Sequence, residues 1–140
     1  MEKRIDDKCI FCKICKGEVD TQLLYEDEEY VVFKDRAPYA QHHYLVVTKN
    51  HIPDAKCLKK DQLNIVSTMK GIGRKILEDS GADMNDSRFG FHWPPFHTVS
   101  HLHMHAISPA SKMGLLGRIV FKPDSFVFVT PEYVESRLQA

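Results

Sequence analysis

The amino-acid sequence predicts an α+β fold with a mainly antiparallel sheet of about five strands and one long helix. Short apolar segments typical of strands dominate the chain, and hairpin-like links join them. One helix is predicted from about Lys59 to Asp79, and Gly81 follows it as a stop signal. Its apolar residues form a single stripe: Leu58, Ile65, Met69, Ile72 and Ile76. We expect this stripe to pack against the sheet.

Length and composition indicate a single globular domain over residues 1–140. Of the 140 residues, 43% are apolar and 27% are charged, and the formal net charge is zero. Such a chain is long enough to bury a core, and no repeat or linker divides it. A protein dedicated to duplex DNA usually has a clustered basic face, so extended nucleic-acid binding is disfavoured.

Neither a membrane anchor nor a targeting signal is predicted. No apolar run approaches the roughly 20 residues that cross a bilayer. The N-terminal MEKRIDDK is polar and lacks the apolar core of a signal peptide. We therefore expect a cytoplasmic protein that is small enough to enter the nucleus as well.

The N-terminal half is predicted to contain a short helix followed by three strands. Residues 9–18, CIFCKICKGE, indicate a short helical or knuckle-like turn closed by Gly17. Residues 21–35, TQLLYEDEEYVVFKD, indicate two short strands joined by an acidic turn. Residues 44–49, YLVVTK, form a near-continuous apolar run, which is typical of a buried strand.

The C-terminal half is predicted to contain three strands and a helix. The strands correspond to SRFGFHW at residues 87–93, SHLHMHAI at residues 100–107 and SFVFVT at residues 125–130. A terminal helix is predicted to begin at Pro131, because Thr130 is a suitable N-cap and proline suits the first helical position.

The segment SHLHMHAI carries three histidines at alternate positions, His101, His103 and His105. In a strand, alternate side chains share a face and repeat at roughly 6.8 Å. The apolar residues between them would then face the predicted helix. A helix would instead separate the imidazoles by about 200° and break up the apolar face, so the alternation favours a strand.

Three interpretations of this histidine face compete. It could be a solvated sheet surface, or it could offer imidazoles to zinc, since His-x-His on a strand presents two ligands. In the third, a neutral imidazole attacks phosphorus or an acyl carbon and forms a covalent intermediate that water removes. The ordinary pKa of imidazole lies near ambient pH, so its free base is abundant.

Four cysteines lie in the N-terminal half of the chain, and two of them form a C-x-x-C pair, Cys9 and Cys12. In a reducing compartment such a pair predicts a metal or redox site rather than a disulfide framework. It is only half of a tetrahedral zinc site, which needs two further ligands. Cys15 and Cys57 are predicted to be ordinary thiols.

Residues 101–107, HLHMHAI, resemble the His-φ-His-φ-His-φ-φ signature of the histidine triad (HIT) nucleotide-binding hydrolases and transferases, where φ is apolar. CIFCKI and residues 31–52 match as well, so the resemblance covers about residues 9–109 and leaves 110–140 as a C-terminal extension. FGFHWPPFHTVSHLHMH, together with this extension, is most similar to a branch between the Hint and aprataxin groups. The resemblance implies a HIT-like α+β domain that pairs as a homodimer.

The resemblance also implies roles for four residues. His103 corresponds to the nucleophile that attacks the α-phosphate of a nucleotide, and His105 to the residue that contacts the phosphate and the leaving group. His43 would complete the catalytic cluster from a neighbouring strand. Asp35 corresponds to the acidic residue that accepts hydrogen bonds from the ribose hydroxyls, which suits a carboxylate; a turn-forming role is the alternative.

Further nucleotide contacts are expected at less typical positions. Where many members have a Gly-Gln-Ser stretch, this chain has PPFHTVS, so Thr98 would supply the hydroxyl. Arg36 would lie over the base or face water. His92 and His97 could add donors or be structural, and His42 is expected to be exposed.

The resemblance further implies a structural zinc. Family members with the N-terminal pair complete the site with a histidine of a K-x-H-I stretch and the first triad histidine. The ligands here would be Cys9, Cys12, His51 and His101. Without zinc, His101 would support His103 by hydrogen bonding.

The implied function is hydrolysis of adenosine 5′-phosphoramidates or related adenylates through a nucleotidyl-histidine, with release of AMP and no metal in the chemical step. The substrate would be a purine nucleotide of the AMP type. Two alternatives stay open: aprataxin-like removal of AMP from adenylated nucleic-acid ends, and a nucleotide-binding scaffold that acts through partner contacts.

Overall fold

A computed structural model describes residues 4–140 of the chain. Within this range the strands form a six-stranded sheet in which every neighbouring pair is antiparallel. The strand order is β1-β2-β3-β5-β4-β6. The strands are β1 Tyr25–Glu26, β2 Tyr30–Lys34, β3 His42–Thr48, β4 Arg88–His92, β5 His103–Ser108 and β6 Phe128–Val129. The α+β fold class and the mainly antiparallel sheet are therefore confirmed, and the sheet, predicted to have about five strands, has six, one in each segment predicted to be a strand.

The helices lie on both sides of this sheet. They are α1 Ile10–Cys15, α2 Leu63–Asp79, α3 Leu115–Val120 and α4 Pro131–Gln139. Short 3₁₀ turns cover Ala55–Cys57, Lys60–Gln62, Met84–Asp86 and Ala110–Lys112. None of the helices within residues 4–140 combines the length and apolarity that a membrane-spanning helix requires.

The long helix α2 begins four residues later than predicted and buries a different stripe. The 3₁₀ turn Lys60–Gln62 precedes it, so the regular helix starts at Leu63. Its fully buried residues are Val66, Met69, Gly73 and Leu77. The predicted stripe was therefore only partly right: Leu58 and Met69 belong to the core, whereas Ile65, Ile72 and Ile76 are partly buried and pack against it.

The two faces of the sheet have separate apolar cores. On one face α2 and α4 cover side chains that include Val32, Val46 and Met104. On the other face α1 covers a smaller cluster that includes Leu45 and Val47. In the β3–β5 register, Leu45 is opposite His105 and Val47 is opposite His103. Because opposite residues share a face, both histidines lie on the α1 side.

The histidine strand starts three residues later than predicted. β5 begins at His103, and Leu102 is held instead by a backbone hydrogen bond from its N–H to the Ile52 carbonyl (2.6 Å). The alternation nevertheless continues through this segment: Leu102 belongs to the core under the helices, and the His101 ring packs near Phe11 of α1.

Residues 110–140 differ from the prediction in two respects. The helix α3 was not predicted, and the strand predicted at 125–130 is reduced to Phe128–Val129. The final helix begins at Pro131 as predicted, and the Thr130 side chain accepts a hydrogen bond from the N–H of Tyr133 (3.1 Å).

Candidate active site

His103 is held in one orientation by the backbone beside it. Its Nδ1 lies 2.6 Å from the carbonyl oxygen of His101. A carbonyl only accepts, so Nδ1 carries the proton, and the lone pair of the neutral ring lies on Nε2. Burial lowers the pKa of His103 to about 4, despite the hydrogen bond to the carbonyl. The ring is therefore neutral at ordinary pH and has one nitrogen free to bond an electrophile.

His43 and His105 form a hydrogen-bonded pair whose tautomers follow from their partners. The N–H of Tyr39 donates to His43 Nδ1 (3.1 Å), so the proton of neutral His43 is on Nε2. This Nε2 lies 2.9 Å from His105 Nδ1 and 3.3 Å from Asp35 Oδ2. His105 Nδ1 accepts the hydrogen bond from His43 Nε2–H, so the proton of the neutral His105 ring is on its Nε2. Within residues 4–140 that buried Nε2 has no hydrogen-bond partner.

Burial keeps this pair neutral. It lowers the pKa of His43, although the nearby Asp35 carboxylate acts in the opposite direction. Burial also lowers the pKa of His105, and the neighbouring histidines His103, His92 and His43 add to the effect. The His105 Nε2–H is therefore an unsatisfied donor whose missing partner would be a substrate atom.

His103 and His105 line a cleft of about 230 Å³ between α1, β2 and the loop before β5. One side of the cleft is apolar and consists of Ile10, Phe11, Ile14, Val19, Phe33 and Leu45. The other carries polar groups, among them the predicted nucleotide-binding residues Asp35, Arg36 and Thr98. Asp35 is half-buried, whereas Arg36 and Thr98 are exposed at the rim. An apolar slot next to a few polar groups suits a flat heteroaromatic ring attached to a polar sugar.

The four predicted metal ligands converge at the other end of the triad. Cys9 Sγ is 3.2 Å from His101 Nδ1, and Cys12 Sγ is 3.5 Å from the same nitrogen and 3.4 Å from His51 Nδ1. The two Nδ1 atoms are 3.2 Å apart. His101 donates its Nε2–H to the Thr48 carbonyl (2.6 Å), so its Nδ1 presents a lone pair to the cluster.

These separations fit a tetrahedral ion. Zinc bonds of about 2.0 Å to nitrogen and 2.3 Å to sulfur imply ligand–ligand edges of about 3.3–3.8 Å. The observed separations lie at or just below these values. A second group of side chains, Asp35, His43 and His105, is equally close. In this second group, however, the proton on His43 Nε2 occupies the position that an ion would need, so the group is suited to proton transfer and not to metal binding.

The comparisons with known proteins agree with this geometry. A family model described as "Scavenger mRNA decapping enzyme C-term binding" matches residues 8–121. The chain is 42% identical over 137 residues to "Adenosine 5'-monophosphoramidase HINT3" from Xenopus tropicalis, which covers 96% of this chain and 90% of that protein. The chain belongs to the histidine triad (HIT) family.

A solved HIT structure and a second relative extend this finding. The histidine triad protein from Clostridium difficile superimposes with a TM-score of 0.69 at 33% identity, over 76% of this chain and 92% of that one. The "Aprataxin" of Gallus gallus is 34% identical over 86 residues, which is 61% of this chain and 27% of that protein. The HIT-like fold is thus confirmed, and so is the resemblance to the Hint and aprataxin groups.

Some contacts at this HIT site were not predicted. Tyr39 sets the tautomer of His43 through its backbone N–H, and Phe121 packs against the imidazoles of His43 and His105. No sequence motif marks either residue. His42 is half-buried and bonds the Tyr44 hydroxyl (2.9 Å), so the expectation that it is exposed was wrong.

Proposed function

We propose that this HIT protein hydrolyses the phosphorus–nitrogen bond of adenosine 5′-phosphoramidates or related adenylates and releases AMP. The name of the Xenopus relative, which matches nearly the whole chain, supports the substrate class. One observation carries the chemistry. The neutral His103 has its Nδ1–H bound to a carbonyl, and the Nε2–H of neighbouring His105 has no partner among residues 4–140.

In the first step, His103 Nε2 attacks the α-phosphorus, and the bond from phosphorus to the amine nitrogen breaks. The amine leaves with a proton from His105 Nε2. The loss of this proton leaves a negative charge on the His105–His43 pair, while a positive charge develops on the His103 ring. The two charges stabilise each other, because the rings of His103 and His105 are only 5.2 Å apart.

In the second step, water attacks phosphorus and the bond to His103 breaks. His105 Nε2 recovers its proton from that water, as microscopic reversibility requires of a group that first acts as acid. AMP leaves and both imidazoles return to their starting tautomers. In this scheme His103, the amine and water make and break every bond to phosphorus, and His105 moves the protons, so we assign any bound metal a structural role.

We propose roles for the polar rim of the cleft as well. Asp35 accepts hydrogen bonds from the ribose hydroxyls with its carboxylate, whose Oδ1 is already oriented by the N–H of Ala37 (2.9 Å). Thr98 contributes its hydroxyl to the phosphate, and Arg36 lies over the exposed edge of the base. These assignments are supported by their common position along one cleft.

Zinc is the ion we propose for Cys9, Cys12, His51 and His101. Two thiolates and two imidazoles form a soft donor set that suits zinc in a closed structural site. When bound, the ion would tie α1 to the start of the triad segment. Metal analysis of protein purified without a histidine tag should find about one equivalent of zinc; less than about a tenth of an equivalent would contradict the proposal.

The test of the function uses His103→Asn on a fluorogenic adenosine phosphoramidate. We expect this variant to lose turnover while it keeps its fold and its affinity for AMP. A matched control is His42→Asn, because His42 lies on the same sheet outside the cleft; it should retain turnover. Near-normal turnover by His103→Asn would refute the assignment.

Removal of AMP from adenylated DNA ends is the second candidate, and the partial match to aprataxin supports it. The chemical step would be the same, with the DNA 5′-phosphate as leaving group. Relative rates on adenylated nicked DNA and on a small phosphoramidate separate the two, and we expect the small substrate to be preferred because the chain has no net positive charge. For the assembly we propose a homodimer, which light scattering would test.

A further inference from the structure

The catalytic imidazoles are backed by an aromatic ring from the C-terminal extension. Phe121, the residue directly after α3, is 2% exposed. Its ring centroid lies 5.0 Å from that of His105, 5.2 Å from that of His43 and 4.9 Å from that of His92. One side chain thus contacts three imidazoles from three different strands.

The position of this ring is itself determined by the strand next to the triad. His92 Nε2–H donates to the Val120 carbonyl, and the Arg88 guanidinium donates to the Phe121 carbonyl, each at 3.1 Å. Arg88 and His92 lie on the same face of β4, so two consecutive carbonyls of the extension are tied to one strand. The extension is therefore anchored at the residue that contacts the site.

The arrangement of His105 explains why this contact matters. The His105 side chain has one hydrogen bond, from His43 to its Nδ1, and nothing within residues 4–140 holds its Nε2. One hydrogen bond is all that opposes rotation of the ring by polar contacts within the described residues, and a half-turn about χ2 would break that bond and carry Nε2 away from the cleft. Packing by Phe121 on His105 and also on His43 removes the space for this motion.

We propose that Phe121 is a positioning residue that holds His105 and its partner His43 so that the His105 Nε2–H points at the leaving group. The inference rests on the proposed phosphoramidate hydrolysis and adds a function for the extension. The phenyl ring takes no part in proton transfer. It keeps the proton donor at the geometry that transfer to a departing amine requires, which is the step most sensitive to misplacement.

The test compares two substrates whose leaving groups differ in whether they must receive a proton as they depart. An amine leaving group must be protonated as it departs, whereas p-nitrophenolate leaves as a weakly basic anion. For Phe121→Leu we expect kcat on an adenosine phosphoramidate to fall about tenfold or more, with KM changed by less than about twofold. On the p-nitrophenyl ester of AMP, the single-turnover rate of p-nitrophenolate release should fall by less than about threefold, because this first step needs no proton from His105. A residue that merely stabilises the fold would affect both substrates alike.

Two further variants complete the test. Phe126→Leu is the matched control, because Phe126 belongs to the same extension but is 90% exposed; both rates should match those of the unmodified protein. Arg88→Met removes one anchor of the Phe121 backbone and keeps the phenyl ring in the chain, so a smaller loss confined to the phosphoramidate is expected even if Phe121→Leu does not fold.

Two results would overturn the proposal: an equal loss on both substrates in the folded variants, or unchanged rates on both in Arg88→Met and, where it folds, in Phe121→Leu. These outcomes differ from failure of the proposed function itself, in which the unmodified protein would turn over neither substrate.

Discussion

Replacement by alanine should affect stability very differently at two tightly packed glycines, Gly90 and Gly73. A Cβ added to Gly90 of β4 would lie 2.4 Å and 2.5 Å from two ring atoms of Phe128 and 2.6 Å from the Val129 carbonyl oxygen. A Cβ added to Gly73 of α2 would lie 2.5 Å from the terminal methyl of Met104 and 3.4 Å from the Phe89 ring.

The size of the stability loss depends on whether the atoms that meet the added Cβ can move away. At Gly90 the obstacles are a fully buried ring and a backbone atom, so β6 must shift or Phe128 must leave its place. Overpacking of this kind costs about 1–3 kcal/mol, and partial exposure of the phenylalanine adds about 1 kcal/mol. We therefore expect Gly90→Ala to lower the free energy of unfolding by about 2–4 kcal/mol.

At Gly73 the obstacle is the end of a flexible side chain. A rotamer change of Met104 costs about 1 kcal/mol, and alanine gains about 1 kcal/mol over glycine inside a helix. The two terms nearly cancel, so Gly73→Ala should leave the free energy of unfolding within about 1 kcal/mol of its original value.

Urea unfolding followed by circular dichroism measures both variants, with the midpoint and slope fitted separately. Because Phe128 packs against Phe121 and His92, Gly90→Ala should also reduce phosphoramidase activity in the folded protein. A Gly90→Ala protein as stable as the original, or a Gly73→Ala protein that is the less stable of the two, would refute the packing described for β6 and α2.

Three further predictions concern the polar groups of the site and one helix cap. Asp35→Asn removes the carboxylate beside His43, and since hydrogen bonds to charged groups contribute about 1.5–3 kcal/mol, kcat/KM should fall tenfold or more; an unchanged value would exclude a role in binding or orientation. Burial lowers the pKa of both His43 and His105, with Asp35 opposing the effect at His43 and His92 reinforcing it at both. Both rings therefore stay neutral as the pH falls below about 6.5, and the acid limb of the kcat/KM profile should lie below that pH rather than at or above it. Thr130→Ala removes the N-cap of α4 and should cost about 1 kcal/mol in urea unfolding; no change would show that the cap is dispensable.

The histidine face could be predicted because a strand has a period of two. Alternation alone placed His103 and His105 on one face, and the sheet register confirms this. The start of the strand could not be predicted, because it depends on the hydrogen bond between Leu102 and Ile52, which are 50 residues apart. The convergence of the two cysteines with His51 and His101 was expected only from the family resemblance, because their sequence spacing does not determine it.

The buried stripe of the long helix shows a different limit. Neighbouring stripes on a helix differ by a small rotation, and counting large apolar residues selected Ile65, Ile72 and Ile76. The observed line runs through Gly73, which the count ignored, because the lack of a side chain lets Met104 approach the helix. Glycine contributes to packing here through its small size, which hydrophobic periodicity does not detect.

The packing of Phe121 against the imidazoles could not be predicted from the sequence. Phe121 follows a six-residue helix with weak periodicity, and it reaches the imidazoles only because Arg88 and His92 hold the backbone there. Such a contact depends on the path of a whole extension across the sheet. The individual roles of His43, His103 and His105 likewise stay predictions until they are tested on the protein.

Trapping the covalent nucleotidyl-histidine is the direct test of the proposed role of His103 as the nucleophile. Protein mixed with an adenosine phosphoramidate is quenched within milliseconds in alkali, because phosphorus–nitrogen bonds on histidine are labile in acid, and its peptides are analysed by mass spectrometry. We expect one adenylyl group on His103 and none on the His103→Asn protein. Turnover with the adenylyl group on another residue, or with none on the protein at any time, would contradict that role.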